Sequence, residues 1–366
     1  MRVVVPVLDR FATRPLRVIE GDVEIHLGPR DAEGPAPDLR INHPAVWRAI
    51  GRGGISSLGS TYEDGWWSSD DLEGVIAFFV SLLSVLPATP HIDPIARRIR
   101  PIRDPWTGLG AADPSVQAHI LDKTMFHGTG RFLDAHTDLY TASLARFSQI
   151  CERLRLDGDS RLCELGTGWG AFSLYAARTR GCSVVTVTPS EVEADFARKR
   201  LANAGLTELV QVKVGPPTMV SGVFDAVVSI EAAVWQKAPK ITADIDRLLD
   251  PAGTALVQTY LYDDPSLERV SFGASNTLSA ITGSLASLRC RLVAASDLLD
   301  DQLRSVSARI ANLEANQSEL ERAGFAGPVY RSRMFCLVLE RVMADLLGSR
   351  AMQLVLSGPK VTPTHA

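Results

Sequence analysis

The part of the sequence best suited to chemistry is a glycine-rich run, Glu164-Leu165-Gly166-Thr167-Gly168-Trp169-Gly170, between a short apolar segment and a helical pattern. Gly166 and Gly168 permit a tight turn and let the backbone approach a ligand closely. The first amides of the following helix would face that ligand with unpaired N–H groups. The run therefore predicts a ligand site where a strand meets a helix; the alternative is a glycine turn that only shapes this junction.

The spacing of the glycines indicates the kind of ligand. A dinucleotide site would have G-x-G-x-x-G and an acid closing the second strand. Here the spacing is G-x-G-x-G, Glu164 precedes the first glycine by two residues, and the second strand ends in Thr186-Val187-Thr188-Pro189-Ser190 without an acid. This pattern is that of class I methyltransferases, in which the acid can meet the ammonium of S-adenosylmethionine. We favour that cofactor over a dinucleotide.

Strand-like and helical patterns alternate around this run. The predicted strands are Arg161–Leu165, Ser183–Thr188, Leu209–Val214, Phe224–Ile230 and Gly253–Tyr260, and the predicted helices between them are Ala171–Thr179, Glu191–Ala204 and Ile241–Leu249. Such alternation implies a parallel, doubly wound sheet with helices on both faces. The predicted fold class is α/β, a Rossmann-like class I methyltransferase sheet with a smaller N-terminal α+β domain.

Changes in residue composition and hydrophobic pattern divide the chain into three predicted parts. These are an N-terminal α+β domain at 1–90, a linker and substrate-lid segment at 91–144, and a cofactor-binding methyltransferase domain with C-terminal helices at 145–366. Arg2–Leu8 and Val23–Leu27 are predicted as strands of the first part. Prolines prevent a long helix in the linker, whose arginines could meet acidic head groups or remain a solvated loop. Apolar residues at helical spacing between Leu299 and Leu313 indicate a helix that faces the core or a dimer seam.

Composition excludes several classes of protein. The 366 residues are 46% hydrophobic and 22% charged, with a net charge of −4, which argues against a disordered chain and against a dedicated nucleic-acid binder. The five cysteines have no CxxC spacing and indicate reduced, buried thiols rather than a metal site. The apolar segment Val75–Leu86 is too short to span a membrane and is predicted as a buried helix. We expect a cytoplasmic protein without a signal peptide, with any membrane contact peripheral, at the inner face, through residues 1–110.

A more specific resemblance extends over most of residues 15–358. ELGTGWGAFSLYAA, VTVTPSEVE and the segment from Ala197 to Leu206 resemble the cyclopropane-fatty-acid synthase family, to which the mycolic acid cyclopropane synthases also belong. The segment Gly54–Leu72 resembles the family's N-terminal domain. Ala311–Phe325 and the tail that reaches Gln353-Leu354-Val355-Leu356 resemble its closing helix and strand. The resemblance implies the same fold and S-adenosylmethionine-dependent transfer of a methyl group.

The resemblance also assigns the cofactor contacts. They fall on Gly166, Gly168 and Gly170, on the turn from Thr188 to Glu193, and on Tyr140-Thr141. Glu193 stands where the family has glutamine and could still accept hydrogen bonds from ribose hydroxyls. The aromatic–acid pair with which the family holds adenine is replaced by Gly215-Pro216-Pro217.

The family removes the last proton of cyclopropanation with a bound bicarbonate, and this chain departs from the residues that hold it. Val234 stands in place of the family's glutamate, and Trp235 and Gln258 stand in place of its two histidines. Ala142 replaces the cysteine, and the tyrosine position falls near Leu299. Side chains such as these, the Gln258 amide apart, offer an anion few donors. We therefore do not expect cyclopropanation by the bicarbonate route, and we expect no metal.

The residues that remain near the reacting edge are Glu231, Tyr140 and Gln258, which we predict as the catalytic set. Glu231 follows the fourth strand and could be a relocated base, although an acid at a helix start interacting with the dipole is equally compatible. Trp235 and Tyr260 could line an acyl tunnel, stabilise a cation or belong to the core. Three histidines lie in the segment that resembles the family's substrate lid: His119, His127 and His136. Their spacing is not that of a metal site, and they could equally be solvated.

Three functional hypotheses follow. The first is an S-adenosylmethionine-dependent C-methyltransferase that acts on an acyl chain or a lipid-like metabolite. The second is a non-catalytic paralogue that partners an active enzyme, or binds lipid. The third is a methyltransferase of a small specialised metabolite. A homodimer, or a heteromer with a related enzyme, is compatible with each of them, and no nucleic-acid partner is expected.

Overall fold

The computed structural model describes residues 4–31, 34–85, 112–232, 238–262, 277–286, 288–325 and 327–359. Its helices are α1 Val4–Phe11, α2 Val46–Glu63, α3 Leu72–Val85, α4 Pro114–Gln117, α5 Leu139–Arg153, α6 Ala171–Arg180, α7 Glu191–Asn203, α8 Ala238–Leu248, α9 Leu278–Leu285, α10 Leu299–Ala315, α11 Gln317–Arg322 and α12 Pro328–Leu347. Its strands are β1 Leu16–Glu20, β2 Val23–Leu27, β3 Asp38–Ile41, β4 Trp67–Ser68, β5 Arg161–Leu165, β6 Ser183–Thr188, β7 Val210–Val214, β8 Phe224–Ile230, β9 Leu249–Leu261, β10 Arg291–Asp297 and β11 Arg350–Ser357.

The chain forms two compact units. The first unit comprises 1–116, 266–272 and 309–349, and the second comprises 117–265, 273–308 and 350–366. This division differs from the predicted one, because α11, α12 and the end of α10 belong to the first unit rather than to the methyltransferase part. The reason is packing: α12 lies against α2 and α3 and buries apolar residues such as Phe335 and Leu339. Sequence order did not reveal this return of the chain.

The first unit contains a four-stranded sheet with the order β2-β1-β3-β4. Val75, Ile76 and Phe78 of α3 are fully buried, as predicted for Val75–Leu86. The predicted strand Arg2–Leu8 is wrong, because residues from Val4 onward form α1. Val4, Leu8 and Phe11 are half-buried at helical spacing, a pattern that a short apolar run does not distinguish from a strand. The predicted arginine-rich linker lies largely outside the described residues.

The second unit is built on a seven-stranded sheet with the order β10-β11-β9-β8-β5-β6-β7. The five strands from β9 to β7 are parallel, whereas β11 pairs antiparallel with both β9 and β10. Apolar cores cover both faces of this sheet: α5 and α6 contribute Phe147 and Phe172 to one core, and α8 contributes Ile245 to the other. The predicted doubly wound α/β fold is thereby confirmed, with five predicted strands in place.

Several other expectations can be compared with the structure. All five cysteines are buried, and none of them forms a disulfide bond. The apolar stripe of α10 faces the core, because Val306, Ile310 and Leu313 are 1%, 9% and 0% exposed. Within the part of the chain that the structure describes, no helix has the length and apolarity that a membrane span requires.

Candidate active site

The glycine-rich run forms a turn between β5 and α6. All three of its glycines have positive φ angles, 107° at Gly166, 48° at Gly168 and 76° at Gly170, a region that other residues rarely adopt. A Cβ added to Gly168 would find nothing within 4 Å, so the space above the turn is open. Because the parallel strands β5 and β6 end beside it, the turn lies at the edge where open α/β sheets bind ligands. The turn therefore fits S-adenosylmethionine.

Side chains from neighbouring segments hold this turn in place. Trp169 Nε1 donates a hydrogen bond to Nε2 of His127 at 2.6 Å. Arg200 of α7 donates to the carbonyl oxygens of Trp169 and Thr124, each at 2.9 Å. His127 thus supports the turn from the segment before α5, a role that the sequence did not predict.

Glu164 lies at the end of β5 and is 2% exposed. Its carboxyl accepts hydrogen bonds from Ser173 of α6 and, at 2.8 Å, from Thr186 of β6. Burial raises the pKa of Glu164 to about 7, although these hydroxyls oppose the shift. The structure therefore places this acid in a hydroxyl-lined position behind the turn, and its contact with a ligand ammonium stays a prediction.

The other predicted cofactor residues lie at two helix starts. Thr188 donates to Oε2 of Glu193 at 2.5 Å, and burial raises the pKa of Glu193. The backbone amide of Thr141 donates to Asp138, which caps α5, while Tyr140 beside it is 42% exposed. The structure thus joins Thr188 with Glu193 and leaves Tyr140 outside the hydrogen bonds around Glu231.

After β7, the segment that replaces the family's adenine grip is held by its backbone. Gly215 has a φ of 136° and donates its amide to the carbonyl of Thr188 at 2.9 Å. Met219 lies against Gly215 and is 58% exposed. Met219 therefore provides an apolar surface near the end of β6 where the family has an aromatic ring.

The second feature of the site is the carboxylate of Glu231. Oε1 accepts hydrogen bonds from the Thr129 amide at 2.8 Å and from Gln258 Nε2 at 2.7 Å, and Oε2 accepts from the Tyr260 hydroxyl at 3.0 Å. Glu231 itself has a φ of 55°, which is uncommon for a residue other than glycine. Its backbone amide donates to the Gln258 carbonyl at 2.7 Å, which holds this conformation. These contacts combine two residues of the predicted catalytic set with Tyr260.

Arg146 of α5 organises the segment that carries Thr129. It is fully buried and donates to the carbonyls of Thr129 and Gly130 at 3.1 and 2.9 Å, and to the carboxylate of Asp301 at 2.8 Å. Burial lowers the pKa of Arg146 to about 10, against the effect of Asp301 and Glu231, so the guanidinium stays charged at neutral pH. Arg146 therefore brings a buried positive charge to the segment whose Thr129 amide binds Glu231.

The glycine turn lies against the segment that carries Glu231. A Cβ added to Gly166 would lie 2.1 Å from Cβ of Ala232, the residue after Glu231. A ligand above the turn would consequently lie close to the segment that carries this carboxylate. The arrangement can hold a methyl donor and a general base side by side.

The remaining predicted residues lie elsewhere or are not described. Val234 and Trp235 lie outside the described residues. Ala142 is fully buried in α5, and His136 is exposed. Among the described residues, no group of three or more His, Cys, Asp or Glu side chains could hold a metal ion.

Sequence reasoning missed three members of the site: Thr129, Arg146 and Asp301. Thr129 acts through its backbone amide, which any residue except proline has, so no sequence signal marks it. Arg146 had a signal, because a charged residue in an otherwise buried stretch of helix requires a partner.

The sheet order, the glycine turn and its position define the fold of a class I S-adenosylmethionine-dependent methyltransferase. A sequence model of the family described as mycolic acid cyclopropane synthetase matches residues 115–274. The resemblance to the cyclopropane synthase family seen in the sequence is thereby confirmed.

Individual relatives agree with this result. Tuberculostearic acid methyltransferase UfaA1 of Mycobacterium tuberculosis is 30% identical over 275 residues, or 69% of this chain and 63% of that protein. Cyclopropane-fatty-acyl-phospholipid synthase of Escherichia coli is 29% identical over 243 residues, or 62% of each chain. The chain thus spans about three fifths of the length of the curated relatives it matches. A further relative, UmaA of Mycobacterium tuberculosis, is named as an S-adenosylmethionine-dependent methyltransferase and is 26% identical over 145 residues, or 39% of this chain and 51% of that protein, which agrees with the predicted enzyme class and cofactor.

Solved structures support the fold. The cyclopropane synthase MmaA2 of Mycobacterium tuberculosis aligns with a TM-score of 0.62 at 19% identity, over 66% of this chain and 93% of that one. Coclaurine N-methyltransferase aligns with a TM-score of 0.63 at 17% identity, over 82% of this chain and 98% of that one.

Proposed function

We propose that this protein is an S-adenosylmethionine-dependent C-methyltransferase that acts on the double bond of an unsaturated acyl chain, with Glu231 in the role that bicarbonate has in cyclopropane synthases. The observation that carries the proposal is the buried Glu231 carboxylate with its three donors, Thr129, Gln258 and Tyr260. The relatives named for fatty acid and phospholipid substrates support the substrate class.

The glycine turn and two neighbouring side chains form the proposed cofactor site. The backbone of Gly166, Gly168 and Gly170, with Thr188 and Glu193 beside it, would hold the cofactor. When bound, the cofactor would supply an electrophilic methyl group and would leave as a neutral thioether that keeps the electron pair of the broken carbon–sulfur bond. Burial of the surrounding groups excludes water, which strengthens electrostatic interactions at the reacting carbons.

Glu231 handles the charge and the proton. Methylation of a double bond consumes its π electron pair and leaves a positive charge on the neighbouring carbon. A carboxylate stabilises such a charge and can accept a proton from an adjacent carbon. The electron pair of the broken C–H bond then forms a new carbon–carbon bond, in a ring or a double bond, and the product is neutral. Because the Glu231 carboxylate is part of the protein, this route needs no dissolved bicarbonate.

The test is a methylation assay with purified protein, S-adenosylmethionine and vesicles of a dioleoyl phospholipid, with the acyl products resolved by mass spectrometry. We expect each product to gain one CH₂ unit and the rate to be equal in carbonate-depleted and carbonate-supplemented buffer. A rate that falls on carbonate depletion would contradict the role of Glu231.

The same assay separates the other two hypotheses. Cofactor binding by calorimetry without a methylated lipid would favour a small specialised metabolite as acceptor. Absence of both binding and turnover would favour a non-catalytic paralogue that partners an active enzyme or binds lipid. We also propose that the protein is cytoplasmic, meets the inner membrane face peripherally and forms a homodimer. Sedimentation with anionic vesicles tests the membrane contact, and analytical ultracentrifugation tests the dimer.

A further inference from the structure

A row of polar side chains crosses the sheet of the second unit and ends at Glu231. Ser296 of β10, Gln353 of β11 and Gln258 of β9 are directly paired across neighbouring strands. Gln258 is in turn paired with Ile230, the residue before Glu231. Gln258 and Gln353 are both fully buried. Buried amides in a sheet are costly unless their hydrogen bonds are satisfied, so the continuity of this row requires an explanation.

The hydrogen bonds along this row all point in one direction. Arg153 of α5 donates to Oε1 of Gln353, and also to the Ser296 hydroxyl at 3.1 Å. Gln353 Nε2 donates to Oε1 of Gln258 at 3.2 Å. Gln258 Nε2 then donates to Oε1 of Glu231 at 2.7 Å. The chain thus runs from a cation through two amides to a carboxylate.

The two ends of this chain determine the orientation of both amides. A guanidinium can only donate hydrogen bonds, so Gln353 must turn its oxygen toward Arg153 and its nitrogen toward Gln258. Gln258 must then accept with its oxygen, which leaves its nitrogen for Glu231. An independent contact agrees, because Gln258 Nε2 also lies 3.4 Å from the Thr129 carbonyl, which can only accept.

We propose that Arg153 and Gln353 are positioning residues that orient the Gln258 amide so that its nitrogen, and not its oxygen, faces the Glu231 carboxylate. This inference deepens the proposed function and rests on it for its effect on turnover. The other groups that face Glu231 in the described residues also donate or are positively charged: the Thr129 amide, the Tyr260 hydroxyl and the Arg146 guanidinium. A reversed Gln258 amide would place its oxygen against the carboxylate, and a proton would then be needed between them.

The Gln353→Glu variant reverses the chain without a change of size. A carboxylate at this position can only accept, from Arg153 on one side and from Gln258 on the other. The Gln258 amide must then rotate and present its oxygen to Glu231. We expect the pH of half-protonation of Glu231 in this variant to lie above that measured for the wild type, and the acid limb of the kcat profile to move up with it.

Isotope-edited infrared titration of the full-length protein measures this protonation without any turnover, with Glu231→Gln identifying the carboxyl band. Gln211→Glu is the matched control, because it makes the same change from glutamine to glutamate at an exposed position of β7 in the same sheet. Arg153→Lys keeps a donor, so Glu231 should titrate at the same pH as in the wild type. Arg153→Met removes the donor and should raise the pH of half-protonation of Glu231. Unfolding curves identify any variant that fails to fold.

A second comparison separates the relay from a direct effect of the added charge. In a Gln258→Leu background, Gln353→Glu should shift the titration of Glu231 much less than it does alone. An unchanged titration in Gln353→Glu, or an equal shift in the Gln258→Leu background, would overturn the inference. If the titration shifts as expected but no variant methylates a lipid, the orienting chain stands and the proposed function is wrong.

Discussion

The amide nitrogen of Thr129 lies 2.8 Å from Oε1 of Glu231, although 102 positions separate the two residues in sequence. A backbone amide cannot rotate away as a side chain can, so it fixes the carboxylate relative to the segment before α5. Arg146 holds the carbonyl of the same residue. Thr129 therefore connects the charge of Arg146 with the position of Glu231.

The first prediction concerns Glu231 itself. Replacement by glutamine keeps the size of the side chain but removes its charge and its ability to accept a proton. We expect kcat to fall by about 100-fold or more, the usual contribution of a general base, while calorimetry shows unchanged affinity for S-adenosylmethionine. Tyr260→Phe removes one donor only and should cost far less. Full activity in Glu231→Gln would show that this carboxylate is not the base.

The second prediction concerns the glycine turn. Gly168→Val places a branched side chain in the open space above the turn and at a φ of 48°. We expect affinity for S-adenosylmethionine to fall by about tenfold or more, equivalent to at least about 1.4 kcal/mol. Gly205→Val is the matched control, because Gly205 has a φ of 69° and equally open surroundings after α7. Both variants should lose similar stability in urea, about 1–2 kcal/mol, and an equal loss of affinity in both would indicate general strain.

The third prediction concerns stability and pH. Because burial raises the pKa of Glu164 from 4.5 to about 7, the folded state binds a proton that the unfolded state releases between these values. Glu164 therefore lowers the free energy of unfolding progressively as pH rises from about 4.5 to about 7, and not further above that. Between pH 4.5 and pH 7, the free energy of unfolding of Glu164→Gln should rise by about 3 kcal/mol relative to that of the wild type.

Urea unfolding of the cofactor-free protein at several pH values measures this difference. Glu208→Gln, at an exposed position after α7, is the control. Its free energy of unfolding should follow pH in parallel with that of the wild type. Parallel curves for wild type and Glu164→Gln as well would show that the folded protein keeps Glu164 ionised.

The fourth prediction concerns the ion pair between the buried Arg146 and the half-buried Asp301. Arg146→Met leaves Asp301 without its cation and the carbonyls of Thr129 and Gly130 without their donor. We expect the free energy of unfolding to fall by about 2 kcal/mol or more, because buried carbonyl groups lose their hydrogen bonds. Arg198→Met breaks an exposed pair with Asp195 and should change stability by less than about 1 kcal/mol. Similar small losses in both variants would argue against a structural role for Arg146.

Much of the second unit could be predicted from its sequence because local patterns agree with the fold. β-branched runs such as Ser183–Thr188 and the helix that begins at Glu191 have the periodicities that a doubly wound sheet requires. The strand β10 was missed because it is an edge strand whose residues are largely exposed. It therefore lacks the apolar run that marked the central strands.

The candidate site was predictable only in part. Glu231 and Gln258 were found because a resemblance identified the positions of lost functional groups. Gln353 could not be found in this way, because an amide on a strand has no distinctive chemistry until its neighbours are known. Tyr140 was assigned by the resemblance, but its side chain is largely exposed. Long-range partners therefore limit what the sequence alone can reveal.

The placement of β11 has a consequence for biosynthesis. Residues 350–357 leave the ribosome after every other strand of the seven-stranded sheet, yet they occupy an interior place between β9 and β10. Until they emerge, β9 and β10 each lack the neighbouring strand that β11 provides, and such unpaired backbone edges invite pairing with other chains. The nascent protein must therefore be protected from aggregation until this late insertion, which closes the sheet and brings Gln353 into its row in the same event.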